Sequence, residues 1–256
     1  MSTATSHVVA PGNVRVWRGY PLSTLNLASF LELLGGTFIP GCALMQPPLG
    51  LWAYLPGVPA QTGLPAGVPW ETALLCWASP AAYNNNTGTV GGRAYTLTHK
   101  GVYDLSPGAS SAGYAQPFTG KLALETPVFL LPQSIDWMHG TARHLVAGFA
   151  SSTNTPAFLA ALAAWAQGVA AAPPAGLDGA FLCTGAGYVA WWEHWSGPKP
   201  GQSPTATLPA GLKNYLWQSA APTTMGASLD QTWPGLTLTG NQFLNIQFKR
   251  VKPANT

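Results

Sequence analysis

The chain is predicted to be an α+β protein in which one pattern is read twice: strand, helix, strand, strand, short helix, strand. Three observations in its 256 residues carry that expectation. Two segments have the apolar spacing of helices, with capping residues before them and breakers after. The segments around them are short, alternating and punctuated by Gly and Pro, as strands are. The flanks of the first helix also correspond in order to those of the second, the mark of an internal repeat.

The first half opens on a strand ending at Gly19-Tyr20. Ser23 or Thr24 can cap a helix carrying Leu27, Phe30, Leu31 and Leu34 on one face, stopped at Gly35-Gly36. Strands follow at 51–55 and 72–78, then a small-residue segment and a last strand at 93–99. The second half opens on a strand ending at Gly148-Phe149. Thr155 can cap its helix, with Pro156 at the first position and Phe158, Leu162, Trp165 and Val169 on one face, ended by Pro173-Pro174. A strand is expected at 179–183. Leu208-Pro209-Ala210-Gly211-Leu212 then echoes Leu64-Pro65-Ala66-Gly67-Val68, each leading into a strand, here 214–219. The last strand, 242–250, alternates Leu244, Ile246 and Phe248 with Asn245, Gln247 and Lys249, as a half-buried strand does.

This order is the ferredoxin-like βαββαβ unit in tandem. The layout resembles the dimeric α+β barrel proteins, in element order alone, and that resemblance implies two units packed sheet to sheet as a pseudo-dimeric α+β barrel. An all-β sandwich or jelly roll is the alternative. The expected division is an N-terminal arm 1–12, a first repeat 13–105, a linker and docking segment 106–141, a second repeat 142–252 and a tail 253–256.

Only nineteen residues are Asp, Glu, Lys or Arg, 7% of the chain, against about a quarter in an ordinary soluble domain. A surface so poor in charge suits copies held in an assembly, and the eleven tryptophans and eight tyrosines are types enriched at buried interface centres. The expected function is therefore a non-enzymatic structural or assembly protein, a virion, tail or extracellular lattice component. It would self-associate through its aromatic and Pro-rich loops or dock on a protein partner. Residues 9–16 resemble the starts of phage tail and capsid proteins. The first alternative is a small-molecule enzyme or binding protein with an apolar pocket on the α+β barrel scaffold, and the second a carbohydrate-binding or glycosidase-like module.

The net charge of +3 lies in Lys249, Arg250 and Lys252; a neutral body offers no basic stripe for nucleic acid. Cys42, Cys76 and Cys183 share no metal or redox spacing and sit in apolar contexts, so buried free thiols are expected. No signal peptide and no unbroken run of eighteen apolar residues is present. The location is then a virion or extracellular assembly, or the cytoplasm for an enzyme. No nucleotide, metal or cofactor motif is written, and a haem ligand among His99, His139, His144 or His194 has no motif behind it.

If the chain is an enzyme, its acid–base groups come from His99, Asp136, His139, Glu193 and His194. In a strand, alternation puts Glu193 on the same side as Trp191 and Trp195, with Trp192 and His194 opposite. Trp191, Trp192, Trp195 and Trp137 are the expected binding surface, for a partner, an apolar small molecule or a glycan. Tyr215-Leu216-Trp217-Gln218 with Asp230 resembles the C-terminal end of lysozyme-like (β/α)8 glycosidases, which would imply a glycosidase.

Overall fold

In the computed structural model, the described residues are 8–58, 64–137, 139–150, 156–209, 213–219, 226–227, 236–244 and 246–248. The main strands are β1 (Val14–Gly19), β2 (Leu51–Val58), β3 (Glu71–Trp77), β4 (Ser111–Tyr114), β5 (Thr141–Gly148), β6 (Leu177–Thr184), β7 (Tyr188–Trp195) and β8 (Lys213–Ser219), with short pieces β9 (Gln242–Phe243) and β10 (Ile246–Phe248). The helices are α1 (Leu27–Leu33), α2 (Ile39–Met45), α3 (Pro80–Asn86), α4 (Val90–His99) and α5 (Pro156–Ala171). The protein is a mixed α+β fold with two large sheets and a two-stranded third, Val8–Val9 with Ile135–Asp136. Five helices exclude the all-β alternative.

The first large sheet runs β10-β2-β3-β1-β4 and the second β8-β5-β7-β6, with Val128–Phe129 and Gln116–Pro117 added beyond β6. Counted within each half, the four strands lie in the order 4-1-3-2, all antiparallel.

Alternation sorts the central strands of each sheet, β1, β2 and β3 in the first and β5, β6 and β7 in the second, between two cores. Val14, Val16, Ala53, Leu55, Leu74 and Cys76 of the first sheet share one apolar cluster with Ala142, Val146, Phe181, Cys183 and Trp192 of the second. The opposite face of the first sheet, with Trp17, Tyr54, Ala73 and Trp77, packs under α1 and α2 through Phe30, Leu31, Leu34, Phe38, Ile39 and Cys42. The opposite face of the second, with Leu145, Ala180, Leu182 and Trp191, packs under α5 through Leu162, Ala166 and Val169. The residues 27–49 form the one helical stretch among those described that is apolar enough by length to cross a membrane. Its inward face is spent on the first sheet, as in a core-covering helix.

Several expected elements fall elsewhere. The first helix is capped by Asn26, whose side chain accepts from Ser29 N, rather than by Ser23 or Thr24. Gly35-Gly36 does not stop it. The chain passes through a π-helical turn, Leu34–Phe38, into α2. Gly35 serves close approach instead, since a Cβ there would lie 2.1 Å from Leu236 O. Residues 93–99 are helical, not a strand, because Thr89 caps α4 by accepting from Gly92 N and places Tyr95 and His99 one turn apart on its inner face. The fourth strand of that half is β4, inside the segment expected as a linker. In the second half the third strand is β7, and 214–219 belongs to the fourth. The last strand piece leaves its half altogether, β9 and β10 pairing with β2 of the first sheet.

Candidate functional site

Glu71 opens β3 on its helix-facing side, in line with Ala73, Leu75 and Trp77, and is completely buried. A carboxyl there is costly unless it is hydrogen-bonded, and three side chains converge on it. Trp17 of β1 donates its indole N–H to Oε2 at 2.9 Å. Tyr54 of β2 donates to Oε1, and Tyr103, from the turn after α4, donates to Oε2. Burial pushes the Glu71 pKa up to about 7, against the pull of the Tyr103, Tyr54 and Trp17 hydrogen bonds. Close to neutrality this carboxyl can therefore hold or release a proton, which an ordinary surface glutamate cannot do.

An aromatic shell surrounds the carboxyl. Phe30 packs edge-on against Tyr103 at 5.8 Å and Trp70 at 5.6 Å, and Phe38 against Tyr103 at 5.2 Å. His99, in the last turn of α4, meets Trp17, Phe38, Tyr95 and Tyr103 with ring centroids 5.4, 4.8, 4.7 and 6.0 Å away. Its Nδ1 lies 3.1 Å from the Tyr95 carbonyl. A carbonyl only accepts, so Nδ1 carries the hydrogen and Nε2 keeps its lone pair. Nε2 has no hydrogen-bond partner among the described residues, and it is not among their buried unpaired polar atoms. Burial lowers the His99 pKa to about 4, so the imidazole is neutral. Beyond it Cys42 is fully buried, its thiol pushed up to about 12 by desolvation.

The structure brings few of the expected residues together. His99 lies in this shell, under the first sheet's helices, while Glu193 and His194 lie on β7 of the second sheet and Asp136 and His139 precede β5, Asp136 pairing with Val8 in the two-stranded sheet. Glu193 and His194 point to opposite faces, as alternation requires. Glu193 accepts from the Trp191 and Trp195 indoles at 2.9 and 2.8 Å and from Ser203. His194 Nδ1 is 2.6 Å from Asp178 and its Nε2 is 2.9 Å from the His139 carbonyl, so both ring nitrogens are engaged. Asp136 and His139 pair at 3.1 Å on the surface. No group of metal-ligating side chains occurs among the described residues.

Trp137, Trp191, Trp192 and Trp195 are each 1% exposed. They cannot serve as an interface patch or an open sugar-stacking face, and the expected binding surface is corrected on that ground. Alternation sends Trp192 into the layer between the sheets and Trp191 and Trp195 under α5, so all three are consumed by packing. The 215–218 segment lies in β8, an edge strand of an antiparallel sheet, unlike the parallel strands of a (β/α)8 barrel; Asp230 lies outside the described residues.

Two polar clusters join the sheets. His144 donates from Nδ1 to Trp191 O at 2.9 Å, accepts at Nε2 from the Thr72 hydroxyl at 2.7 Å, and stacks on Trp192 at 4.6 Å and 7°. Burial lowers its pKa to about 3, outweighing the Trp191 carbonyl. At the seam, the buried Arg18 meets Glu125 Oε2 at 2.7 Å and Cys183 Sγ at 3.5 Å, and Tyr188 donates to the same carboxylate at 3.1 Å.

Glu71, Tyr54, Tyr103 and Trp17 were missed as site residues. One signal was present: alternation through 71–77 puts Glu71 on the face of Ala73, Leu75 and Trp77, a carboxyl where the pattern calls for an apolar side chain. Nothing in the sequence marks Tyr54 or Tyr103 as its partners.

No family model matches the chain, and no curated protein does. Among solved structures, a protein of Lactobacillus acidophilus NCFM described as a monooxygenase is 8% identical, with a TM-score of 0.34 over 78% of this chain and 90% of that one. An anthrone oxidase-like protein is 11% identical, with a TM-score of 0.34 over 83% and 90%. A protein of Fusobacterium nucleatum described as a monooxygenase is 9% identical, with a TM-score of 0.35 over 78% and 88%. Likenesses this distant assign neither family nor reaction. The expectation of a non-enzymatic virion, tail or lattice protein is nonetheless corrected. The tryptophans that were to anchor its self-assembly are interior.

Proposed function

We propose that the chain is a small-molecule enzyme or binding protein built from two tandem ferredoxin-like halves, packed sheet to sheet as a pseudo-dimeric α+β barrel. The 4-1-3-2 strand order in both halves and the apolar cluster shared by the two sheets support that architecture. The ligand seat is the aromatic shell between the first sheet and its helices. One observation carries this reading: Glu71, completely buried, is held by three donors inside a shell of rings with its pKa near neutrality. An apolar site with a few placed polar groups and a perturbed titratable residue is what small-molecule sites look like.

The chemistry open to the site is proton exchange at Glu71 with an apolar, planar molecule seated against the rings. The test is native mass spectrometry of the purified chain for a retained compound, with a thermal-shift screen of aromatic and aliphatic small molecules. Aromatic hits that weaken in Glu71→Gln and in Phe38→Ala support the reading. Hits untouched by both substitutions place the ligand elsewhere and refute it.

A further inference from the structure

We infer that His194 is held as an imidazolium, and that its second ring proton fastens the segment carrying Ile135, Trp137 and His139 to the second sheet as a pH-sensitive latch. The inference is independent of the ligand seat at Glu71.

The charge follows from the two partners of the ring. The His194 side chain is buried, with Nδ1 2.6 Å from Asp178 Oδ1 of β6 and Nε2 2.9 Å from the main-chain carbonyl of His139. A carbonyl only accepts, so Nε2 carries a hydrogen. An ionised carboxylate only accepts, so Nδ1 carries one as well, and a ring with both is charged. A carboxylic acid gives up its proton more readily than an imidazolium does, and the Asp178 side chain is 31% exposed, where water supports its charge. The proton between the two therefore stays on the ring. Trp137 adds an aromatic ring 5.0 Å away, within the range of cation–π attraction.

The segment is fitted closely to this spot. A Cβ at Gly179 would lie 2.3 Å from Ile135 Cδ1 and 3.0 Å from His194 Cβ. Gly140, at φ +89°, turns beside the ring, where a Cβ would lie 2.9 Å from Cε1 and 3.0 Å from Nε2. Ile135 pairs with Val9, and Val9, Ile135 and Trp137 all belong to the apolar cluster between the sheets. The Nε2–H bond thus ties β7 to a segment that closes part of that cluster.

Among the described residues, the other titratable groups on these elements are engaged elsewhere. Ala142 of β5 stands across from His194, while Glu193 and Arg143, paired across the same two strands, lie on the opposite face. Glu193 accepts there from Trp191, Trp195 and Ser203, and Arg143 donates to Gly201 O. His144, two residues along β5 on the His194 side, is kept neutral by burial. Asp136 pairs with the His139 side chain at the surface. When rising pH takes one proton from the His194 ring, one nitrogen becomes an acceptor facing an acceptor. The remaining hydrogen stays with the carboxylate, the stronger acceptor, so the contact to the His139 carbonyl is lost. The latch is closed below the ring's transition and open above it.

Two measurements on the full chain between pH 5 and 9 test this. Nitrogen-15 NMR of the labelled histidines, assigned with His194→Gln, reads the ring. Hydrogen–deuterium exchange, corrected for the intrinsic rate, reads protection over 135–140. At the acid end both His194 nitrogens are expected to be of the N–H type. Through the ring's transition, protection over 135–140 should fall roughly ten- to a hundredfold, the worth of one charge-assisted hydrogen bond, with α5 unchanged. Asp178→Asn should move both transitions together to lower pH. His139→Ala keeps the carbonyl and should leave both in place. A bare ring nitrogen at the acid end puts the proton on Asp178 and overturns the charge. Protection that ignores the ring's transition, or a transition that His139→Ala abolishes, overturns the latch. Neither reading of the unsubstituted chain depends on how well a variant folds.

Discussion

Replacing Glu71 by Gln should change how the stability of this protein depends on pH. Burial pushes this carboxyl up to about 7 in the folded chain, against its ordinary value of 4.5. A raised carboxyl pKa means that the folded state binds the proton more tightly than the unfolded one. Folding is therefore not penalised by this group below pH 4.5, loses stability as pH rises from 4.5 to 7, and carries the full cost above. At 1.36 kcal/mol per unit the cost above pH 7 is about 3 kcal/mol. Gln fits the same partners. Its oxygen can accept from Trp17 and Tyr103, and its amide can donate to the Tyr54 hydroxyl oxygen. Urea unfolding of both proteins between pH 4.5 and 8 gives the difference in stability at each pH. That difference should move in favour of Glu71→Gln by about 3 kcal/mol across the range, which removes contributions common to both. A difference that stays flat to within about 0.5 kcal/mol refutes the claim that this carboxyl is neutralised by burial.

Three further outcomes are expected. His144, lowered to about 3 from 6.5 by burial, contributes stability that is fully present above pH 6.5 and lost as pH falls to 3, about 5 kcal/mol in all; acid titration of His144→Phe should lack that limb. Gly57→Ala should destabilise by about 1–3 kcal/mol in thermal unfolding, because its Cβ would sit 2.3 Å from His144 Cδ2 and the ring, stacked on Trp192, has nowhere to move. Cys42, Cys76 and Cys183 are free and buried, so a thiol reagent should find no rapidly reacting cysteine in the folded chain and all three after denaturation.

What was legible in the sequence is what is local. The Pro156 start of α5, the apolar faces of both long helices and most strands of the sheets follow from periodicity and breakers, which depend on neighbours in the chain; the expected cap, Thr155, lies outside the described residues. The fate of 93–99 was not legible. Tyr-Thr-Leu-Thr reads as strand by propensity, and only the Thr89 cap and the aromatic core under α4 turn it into helix. The last strand was recognisable as a strand but not as a partner of β2, because alternation tells which side is buried and not which sheet covers it.

The site divides in the same way. Composition showed a chain rich in tryptophan and poor in charge, and it suggested surfaces hidden in an assembly. Among the described residues, folding hides most of the aromatic side chains instead, between the sheets and under the helices. His99 was visible as a titratable residue, yet its tautomer depends on a carbonyl one turn away. Its neighbours Trp17, Phe38 and Tyr103 come from three separate segments. Glu71 depends on tertiary structure even more, since its donors stand 54, 17 and 32 residues away along the chain. A sequence by itself determines which side chains prefer water and at what period they recur. Only the packed structure brings distant donors to one carboxyl and removes the solvent, and those two acts move its pKa.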